Sequence, residues 1–137
     1  MTAYSFNEGS FDSLDVGVVD STVHNLEFED GSRLTVERRT MREGATIEAL
    51  ARDRTQHEAR ERPRYTVQAE RQGTFAGHPG FEVAAYYPEG ADVRYQLRRH
   101  VAHPPVSFVF TMTGPVAARD ALDARMERVF GTLRLRA

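Results

Sequence analysis

Residues 92–113, DVRYQLRRHVAHPPVSFVFTMT, contain two apolar–polar alternations that a Pro-Pro pair separates. Alternation with a period of two is typical of β-strands, because successive side chains point to opposite faces of a sheet. One predicted face is apolar and carries Val93, Tyr95, Leu97, Val101, Val106, Phe108, Phe110 and Met112. The other face mixes polar groups with one valine, at Gln96, Arg98, His100, Ser107, Val109, Thr111 and Thr113. The segment therefore predicts two strands with one core face and one face of mixed chemistry.

Further strands are predicted on both sides of this segment. Asp30-Gly31 separates the alternating segments 22–28 and 33–39. This arrangement is typical of a β-hairpin, because both central residues of the favoured turn have positive φ. Segments 64–72 and 80–87 also have strand character.

Two helices are predicted between and after these strands. Thr46 is a candidate N-cap for the first helix, which should run to about Arg62 because Pro63 cannot continue it. Gly114-Pro115 should open the second helix. The apolar residues of the second helix repeat at helical spacing, at Ala118, Leu122, Met126 and Val129.

The order of the predicted elements indicates the fold class. Long runs of consecutive strands are typical of antiparallel α+β domains rather than of parallel, doubly wound sheets. We therefore predict a single domain over residues 1–137, with a twisted antiparallel sheet and both helices on one face. The predicted core consists of Leu34, Val36, Val67, Val83, Tyr95, Leu97, Phe108, Phe110, Leu122, Met126 and Phe130.

Composition excludes several classes of protein. The formal net charge of −2 argues against a nucleic-acid partner, which favours a basic surface. The sequence has no cysteine, so neither disulfides nor thiolate metal sites are expected. The N-terminus resembles no secretory signal, and no apolar stretch is long enough to span a bilayer. These observations predict a soluble cytoplasmic domain without stable membrane insertion.

Candidate catalytic motifs are weak. The segment 57–61, HEARE, has a glutamate where the metalloprotease motif HExxH has its second histidine. His100 and His103 are three residues apart on a predicted strand and should point to opposite faces, which is poor geometry for a metal. We therefore expect no enzymatic activity, no catalytic residues, no metal site and no cofactor.

The motifs along the chain resemble those of a known family. They are YSFNEGSF at 4–11, DSTVHNLEF at 20–28, RLTVERR at 33–39, YQLRR at 95–99, FVFTMT at 108–113 and FGTLRLR at 130–136. In order and spacing they resemble the DcrB-related domains of unknown function, whose cytoplasmic members include the Eag chaperones of type VI secretion.

This resemblance implies a PsbP-like fold, a homodimer and a chaperone function. The client would be the N-terminal transmembrane segment of a secreted effector of the PAAR or Rhs type, which the chaperone shields until the effector is loaded on the VgrG spike. The alternative is a non-catalytic DcrB-like interaction domain with another envelope-related ligand.

The resemblance also implies that clients bind one face of the sheet. It matches Gln96 best, followed by Thr35 and Glu37, and then by Val23 and Asn25. Strand parity adds Ser107, Val109, Thr111 and Thr113, together with Ala84 and Tyr86 of the preceding strand. Transmembrane helices associate through small residues, hydroxyls and amides, so this mixture suits a face that replaces a neighbouring helix. A solvated, threonine-rich sheet surface is the alternative interpretation of the same residues.

Overall fold

The computed structural model describes residues 2–6, 9–13, 17–19 and 24–135. Val23, one of the predicted client contacts, lies outside these residues. Before the first helix, the strands are β1 (Thr2–Phe6), β2 (Gly9–Ser13), β3 (Gly17–Val19), β4 (His24–Glu27) and β5 (Arg33–Thr40). After it come β6 (Thr66–Phe75), β7 (His78–Glu89), β8 (Asp92–His103), β9 (Val106–Pro115) and β10 (Arg134–Leu135). The helices are α1 (Ile47–Glu61) and α2 (Arg119–Thr132).

The strands form two antiparallel sheets. The larger sheet has seven strands in the order β3-β4-β5-β9-β8-β7-β6, and the smaller one has three in the order β1-β2-β10. The two strands of the opening segment, β8 and β9, pair with each other near the centre of the large sheet, with Leu97 opposite Met112. The predicted antiparallel α+β fold is therefore confirmed.

The two helices lie on opposite faces of the large sheet, and our prediction of a shared face is wrong. Arg98 of β8 donates a hydrogen bond to Thr55 of α1, whereas the next residue, Arg99, forms an ion pair with Glu127 of α2. Successive strand residues point to opposite faces, so α1 and α2 are separated by the sheet. The sequence pattern misled us because α1 packs mainly on polar groups, with one small apolar cluster that includes Ala51.

The main core lies between the large sheet and α2. It contains nine of the eleven predicted core residues: Leu34, Val36, Tyr95, Leu97, Phe108, Phe110, Leu122, Met126 and Phe130. Val83 instead joins Ala51 and Phe81 in the small cluster under α1. Val67 is 37% exposed, which contradicts its predicted place in the core. It lies on the edge strand β6 beside a register shift, where no helix covers it.

Local signals explain where the helices begin. The Thr46 side chain accepts a hydrogen bond from the Ala49 backbone N–H, as predicted for an N-cap. The second helix begins later than predicted, because Gly114 and Pro115 still belong to β9 and a 3-10 turn at Val116–Ala118 precedes α2. A Cβ atom on Gly114 would lie 2.8 Å from Cδ1 of Leu122 and 3.0 Å from Cβ of Ser32, so a larger residue would force these side chains to shift.

Candidate functional site

Most predicted client-binding residues share the sheet face that α1 covers in part, which we call the α1 face. Cross-strand partners point to the same side of a sheet. The register therefore brings together Asn25, Thr35, Glu37, Gln96, Ser107, Val109, Thr111 and Thr113. Helix α1 packs over β7 and β8, so the part of this face formed by β5 and β9 remains beside the helix rather than under it.

Ala84 and Tyr86 lie on the other face of the sheet, which corrects their predicted position. Ala84 pairs with Leu97, and Tyr86 pairs with Tyr95, so both point toward α2. The reason is the two-residue turn between β7 and β8, which places even-numbered residues of β7 opposite odd-numbered residues of β8. Ala84 belongs to the main core, and Tyr86 packs against it.

A buried arginine organises the part of the α1 face that lies under the helix. Arg98 Nε donates to His100 Nε2 at 2.8 Å, and Nη1 donates to Tyr65 Oη at 3.0 Å and to Gln96 Oε1 at 3.2 Å. Its Nη2 reaches the hydroxyl of Thr55 on α1. All four partners are neutral, so several polar bonds, rather than a carboxylate, stabilise the buried guanidinium.

Gln96 is part of this buried network. Its side-chain oxygen also accepts a hydrogen bond of 2.6 Å from the Tyr65 hydroxyl, and only 2% of the residue is exposed. The sequence predicted an accessible glutamine on an uncovered face, which the structure contradicts. Both bonds use the oxygen, so the amide nitrogen is the group that could donate to a ligand.

His100 is a neutral member of the network. Burial, followed by the charges of Arg98, Arg54 and Arg39, lowers its pKa to about 3. The neutral imidazole can then accept the hydrogen bond from Arg98 at Nε2. This contact removes His100 as a candidate metal ligand.

An ion-pair bridge crosses the open part of the α1 face. Arg54 of α1 donates to Glu37 of β5 with both terminal nitrogens, at 2.9 and 3.3 Å, and its Nε contacts Glu58 at 3.1 Å. Burial opposes ionisation of Glu58, but hydrogen bonds from Arg62 and Arg54 outweigh it and hold the pKa of Glu58 below its usual value. We call the Arg54–Glu37 pair the bridge.

Two cavities flank the bridge and share Arg54 in their walls. The first cavity, of about 340 Å³, lies beside Thr35, Gln96, Thr111 and Thr113. The second cavity, of about 510 Å³, lies beside Leu50, His57, Ser107 and Val109. Together they extend along β5 and β9, so the predicted client residues of these strands border accessible space although several are themselves buried.

Two polar atoms in the wall of the first cavity have no hydrogen-bond partner in the described part of the chain. They are the hydroxyl oxygen of Thr111 and Nε of Arg94. Most buried polar groups in native structures are paired, so each exception needs an explanation.

The geometry does not assemble a metal centre within residues 2–6, 9–13, 17–19 and 24–135, where no three potential ligands cluster. His57 of the HEARE segment is exposed on α1 and borders the second cavity. His103 contacts the ring of His78, with centroids 5.3 Å apart, rather than lying near His100.

Sequence reasoning missed the arginines that shape the site. Neither Arg54 nor Arg94 is among the residues that the sequence predicts for the site. Arg94 has the same strand parity as Gln96, which was the available signal. The signal for Arg54 was absent, because its partner Glu37 is 17 residues away in sequence.

An antiparallel sheet with a helix on each face and a half-covered polar side defines an α+β domain. The DcrB family profile matches residues 8–132, and the chain belongs to the DcrB family. A comparison with curated proteins gave no significant match. Among the described helices, none combines the length and apolarity that crossing a bilayer requires.

Solved structures confirm the fold. Cyanobacterial PsbP (CyanoP) from Synechocystis sp. PCC 6803 has a TM-score of 0.70 at 13% identity, covering 98% of this chain and 91% of that one. LpqN of Mycobacterium tuberculosis, described as involved in cell envelope biogenesis, has a TM-score of 0.74 at 8% identity, with coverages of 99% and 90%. A Pseudomonas aeruginosa protein of unknown function has a TM-score of 0.62 at 12% identity, with coverages of 93% and 94%.

Proposed function

We propose that this protein is a non-catalytic chaperone of type VI secretion that binds the N-terminal transmembrane segment of a PAAR- or Rhs-type effector. The motif resemblance to Eag chaperones suggests the client. The observation that carries the proposal is the half-covered α1 face, where cavities of about 340 and 510 Å³ lie along β5 and β9.

This face offers an apolar helix a mixture of aliphatic, hydroxyl and charged groups, since the wall of the first cavity also holds four arginines and three glutamates. Val109 lines the second cavity and Thr35 lines the first, where the Thr35 hydroxyl donates to Asn25 at 2.9 Å and can still accept a hydrogen bond. Hydrogen bonds between membrane helices are worth about 0.6–2 kcal/mol, so hydroxyls add to binding without dominating it. A chaperone with this mixture offers a helix the contacts that a neighbouring helix would give it in the membrane.

Binding requires the bridge to open. An α-helix with its side chains is about 10–12 Å wide, so a bound helix would occupy both cavities at once. Arg54 would then leave Glu37 while keeping its contact with Glu58 on the same helix. The bridge thus closes the face in the absence of a client.

The proposed client also determines the oligomeric state and the location that we propose for the chaperone. Two copies of the chain enclose a helical hairpin more completely than one copy, so the chaperone is a homodimer. It acts in the cytoplasm and reaches the VgrG spike through the bound effector.

An envelope-related interaction domain is the second candidate function. The observation that favours it is the likeness to LpqN, which is described as involved in cell envelope biogenesis. In this case the α1 face binds a folded protein ligand, and an isolated apolar segment is not retained.

Co-purification of the chain with the apolar N-terminal region of an effector encoded beside its gene tests the proposal. We expect stable capture by the wild type and loss of capture by Thr35→Asp, because an unpaired carboxylate against an apolar helix is strongly unfavourable. Thr35→Val keeps the shape without the charge and should still capture the client.

Thr74→Asp is the matched control, since Thr74 is exposed on the edge strand β6, four strands away from β5 and outside both cavities. Thermal melts should show that all variants are folded. Capture by Thr35→Asp at the wild-type level contradicts the proposal, and failure of the wild type to retain the segment favours the second candidate.

A further inference from the structure

We propose that the second cavity binds an organic acid, whose carboxylate accepts hydrogen bonds from His100 and Ser107 at the floor of the cavity. Both residues line this cavity, and each is 2% exposed. Within the described residues, no hydrogen bond uses Nδ1 of His100 or the hydroxyl of Ser107. Neither atom is among the fully enclosed polar atoms that lack a partner there, so both keep some surface toward the cavity. Buried residues with open polar groups of this kind need a partner, and a ligand can supply it.

The register of the sheet places these two groups close together. His100 lies directly opposite Val109, and Ser107 is two residues away from Val109 on the same strand and face. The Cβ atoms of His100 and Ser107 are therefore diagonal neighbours, at a typical separation of about 7–8 Å. Because both side chains line one cavity, a carboxylate between them can accept one hydrogen bond with each oxygen.

His100 presents a donor to the cavity. Its Nε2 accepts from Arg98 Nε at 2.8 Å, so the proton of the neutral ring is on Nδ1. Burial, followed by the positive charges of Arg98, Arg54 and Arg39, lowers the pKa of His100 to about 3. The Nδ1–H group is thus a neutral donor that lies in a positive electrostatic potential. These two properties select an acceptor that carries negative charge.

The buried charge of Arg98 gives an independent reason to expect an anion. Arg98 is 0% exposed, and within the described residues its hydrogen-bond partners are all neutral. A buried charge without a counter-charge is costly. A carboxylate on Nδ1 of His100 would face the Arg98 guanidinium across the imidazole ring. One negative charge on the ligand matches this one buried cation.

Arg39 is placed to supply a second, more exposed charge. It is the direct cross-strand partner of Ser107 and lines the same cavity. Its side chain is 59% exposed and contacts Glu37 at 3.2 Å. Glu37 also accepts from both terminal nitrogens of Arg54, so Arg39 can turn to a ligand without leaving Glu37 unpaired.

The remaining walls favour an acid with an apolar body. Leu50 and Val109 supply aliphatic surface, and the volume of about 510 Å³ exceeds what a carboxylate group alone would fill. Among the described residues that line this cavity, Asp53 is the one acid, and it is exposed. The first cavity is different, because three glutamates line it.

Two sources could supply such a ligand, namely a free aliphatic acid and the C-terminus of a polypeptide that ends in an apolar residue. We would titrate the full-length, ¹³C- and ¹⁵N-labelled protein with hexanoate, with N-acetyl-Ala-Leu and with the amide of each. The imidazole signals of His100, assigned by their loss in His100→Gln, report on the floor of the cavity. We expect a saturable shift with the acids and none with the amides. Tighter binding of hexanoate indicates a free acid, and tighter binding of the peptide acid indicates a C-terminus.

Two variants test the residues that contact the carboxylate. Ser107→Ala should weaken binding about 3- to 10-fold, as expected for one hydrogen bond. Arg39→Gln should weaken it by a similar factor of about 3 to 10, because the charge it removes is largely exposed. Replacing the unpaired Ser107 hydroxyl should leave the melting temperature unchanged or raise it, so weaker binding by Ser107→Ala cannot reflect unfolding.

Each variant has a matched control. Arg71→Gln changes an arginine that is also 59% exposed and contacts a glutamate, Glu82, at 3.1 Å, but lies on β6 outside the cavity. Thr111→Val removes another buried hydroxyl of β9 that lacks a partner in the described structure, and Thr111 lines the first cavity. Both controls should bind the acids like the wild type.

Several results would overturn the inference. They are His100 signals that do not respond to the acids, signals that respond equally to the amides, and wild-type affinity in both Ser107→Ala and Arg39→Gln. Tighter binding of inorganic phosphate than of either acid would also contradict it. The site does not rest on the proposed chaperone function, because the acids are titrated without a client and either activity can fail alone.

Discussion

At the scale of single residues, the polar network around Arg98 changes what substitutions on the α1 face should do. Val109 and Thr111 are 3% and 9% exposed, so an aspartate at either position would disturb folding as well as binding. Thr35 is half-buried and is the more informative position for a charge. Gln96 belongs to the network, so a substitution of Gln96 should first of all lower the stability of the fold.

Gln96→Ala should lower the free energy of unfolding by about 1–3 kcal/mol. The change removes the acceptor shared by the half-buried Tyr65 hydroxyl and the buried Arg98 guanidinium, and leaves both donors with fewer partners. Urea denaturation monitored by circular dichroism measures the effect. Gln68→Ala, on the exposed part of β6, should change stability by less than about 0.5 kcal/mol. Equal effects of the two substitutions would contradict the burial of Gln96.

His100 should make the fold sensitive to acid. Its pKa is about 3 in the folded protein and 6.5 in its ordinary state, so the unfolded chain binds a proton that the folded chain does not. Stability from this group is therefore complete above pH 6.5 and is lost as the pH falls toward 3, by about 1.4 kcal/mol per pH unit. His100→Gln keeps an acceptor for Arg98 without titrating.

The measurement is the free energy of unfolding in urea at pH 7, 6 and 5. The wild type should lose more stability between pH 6 and 5 than His100→Gln does. His57→Gln, which changes an exposed histidine on α1, is the control and should follow the wild type. Parallel pH profiles for wild type and His100→Gln would contradict a neutral, buried His100.

Phe110→Ala should cost about 3–5 kcal/mol, because Phe110 is fully buried and its ring lies 4.9 Å from that of Phe130. The urea midpoint measures this loss. Val93→Ala, at an exposed position of β8, is the apolar control and should have little effect. A small loss of stability in Phe110→Ala would contradict the assignment of the Phe110 side of β9 to the main core.

At the scale of elements, the strand pattern of residues 92–113 predicted β8, β9 and their core face correctly, because apolar alternation reports burial directly. The position of α1 was not predictable in this way. Its contacts combine Ala51 with a polar network of long sequence separation, such as Thr55 with Arg98. The faces of Ala84 and Tyr86 were missed for a different reason, since parity cannot be carried across a turn without knowing its length.

The bridge between α1 and β5 should limit client binding. Glu37→Gln keeps a hydrogen-bond acceptor but removes the charge that attracts Arg54, so we expect a loss of stability of about 1 kcal/mol and increased capture of the apolar segment. Urea denaturation and co-purification measure the two effects. Glu27→Gln, which weakens an exposed ion pair with Arg33, is the control. Reduced capture by Glu37→Gln would mean that Glu37 contacts the client and does not close the face.

At the scale of the whole molecule, each copy covers only part of its own α1 face, and we expect two copies to cooperate around a client. Light scattering should give twice the chain mass of 15.5 kDa. The mass should be measured over a range of protein concentrations with and without the apolar segment. A mass of one chain under all conditions would contradict the dimer and restrict the client to a single helix.

The placement of Arg98 and Arg99 in successive positions has a consequence for how this protein tolerates changes of chain length. Both arginines belong to β8, but Arg98 contacts α1 on one face of the sheet and Arg99 contacts α2 on the other. Most of β8 is buried on both faces. One residue inserted or deleted within β8 would move every following side chain of the strand to the opposite face of the sheet. Insertions in related chains should therefore be confined to the connections outside this strand, such as the exposed turn at Glu43-Gly44, where the added backbone remains in solvent.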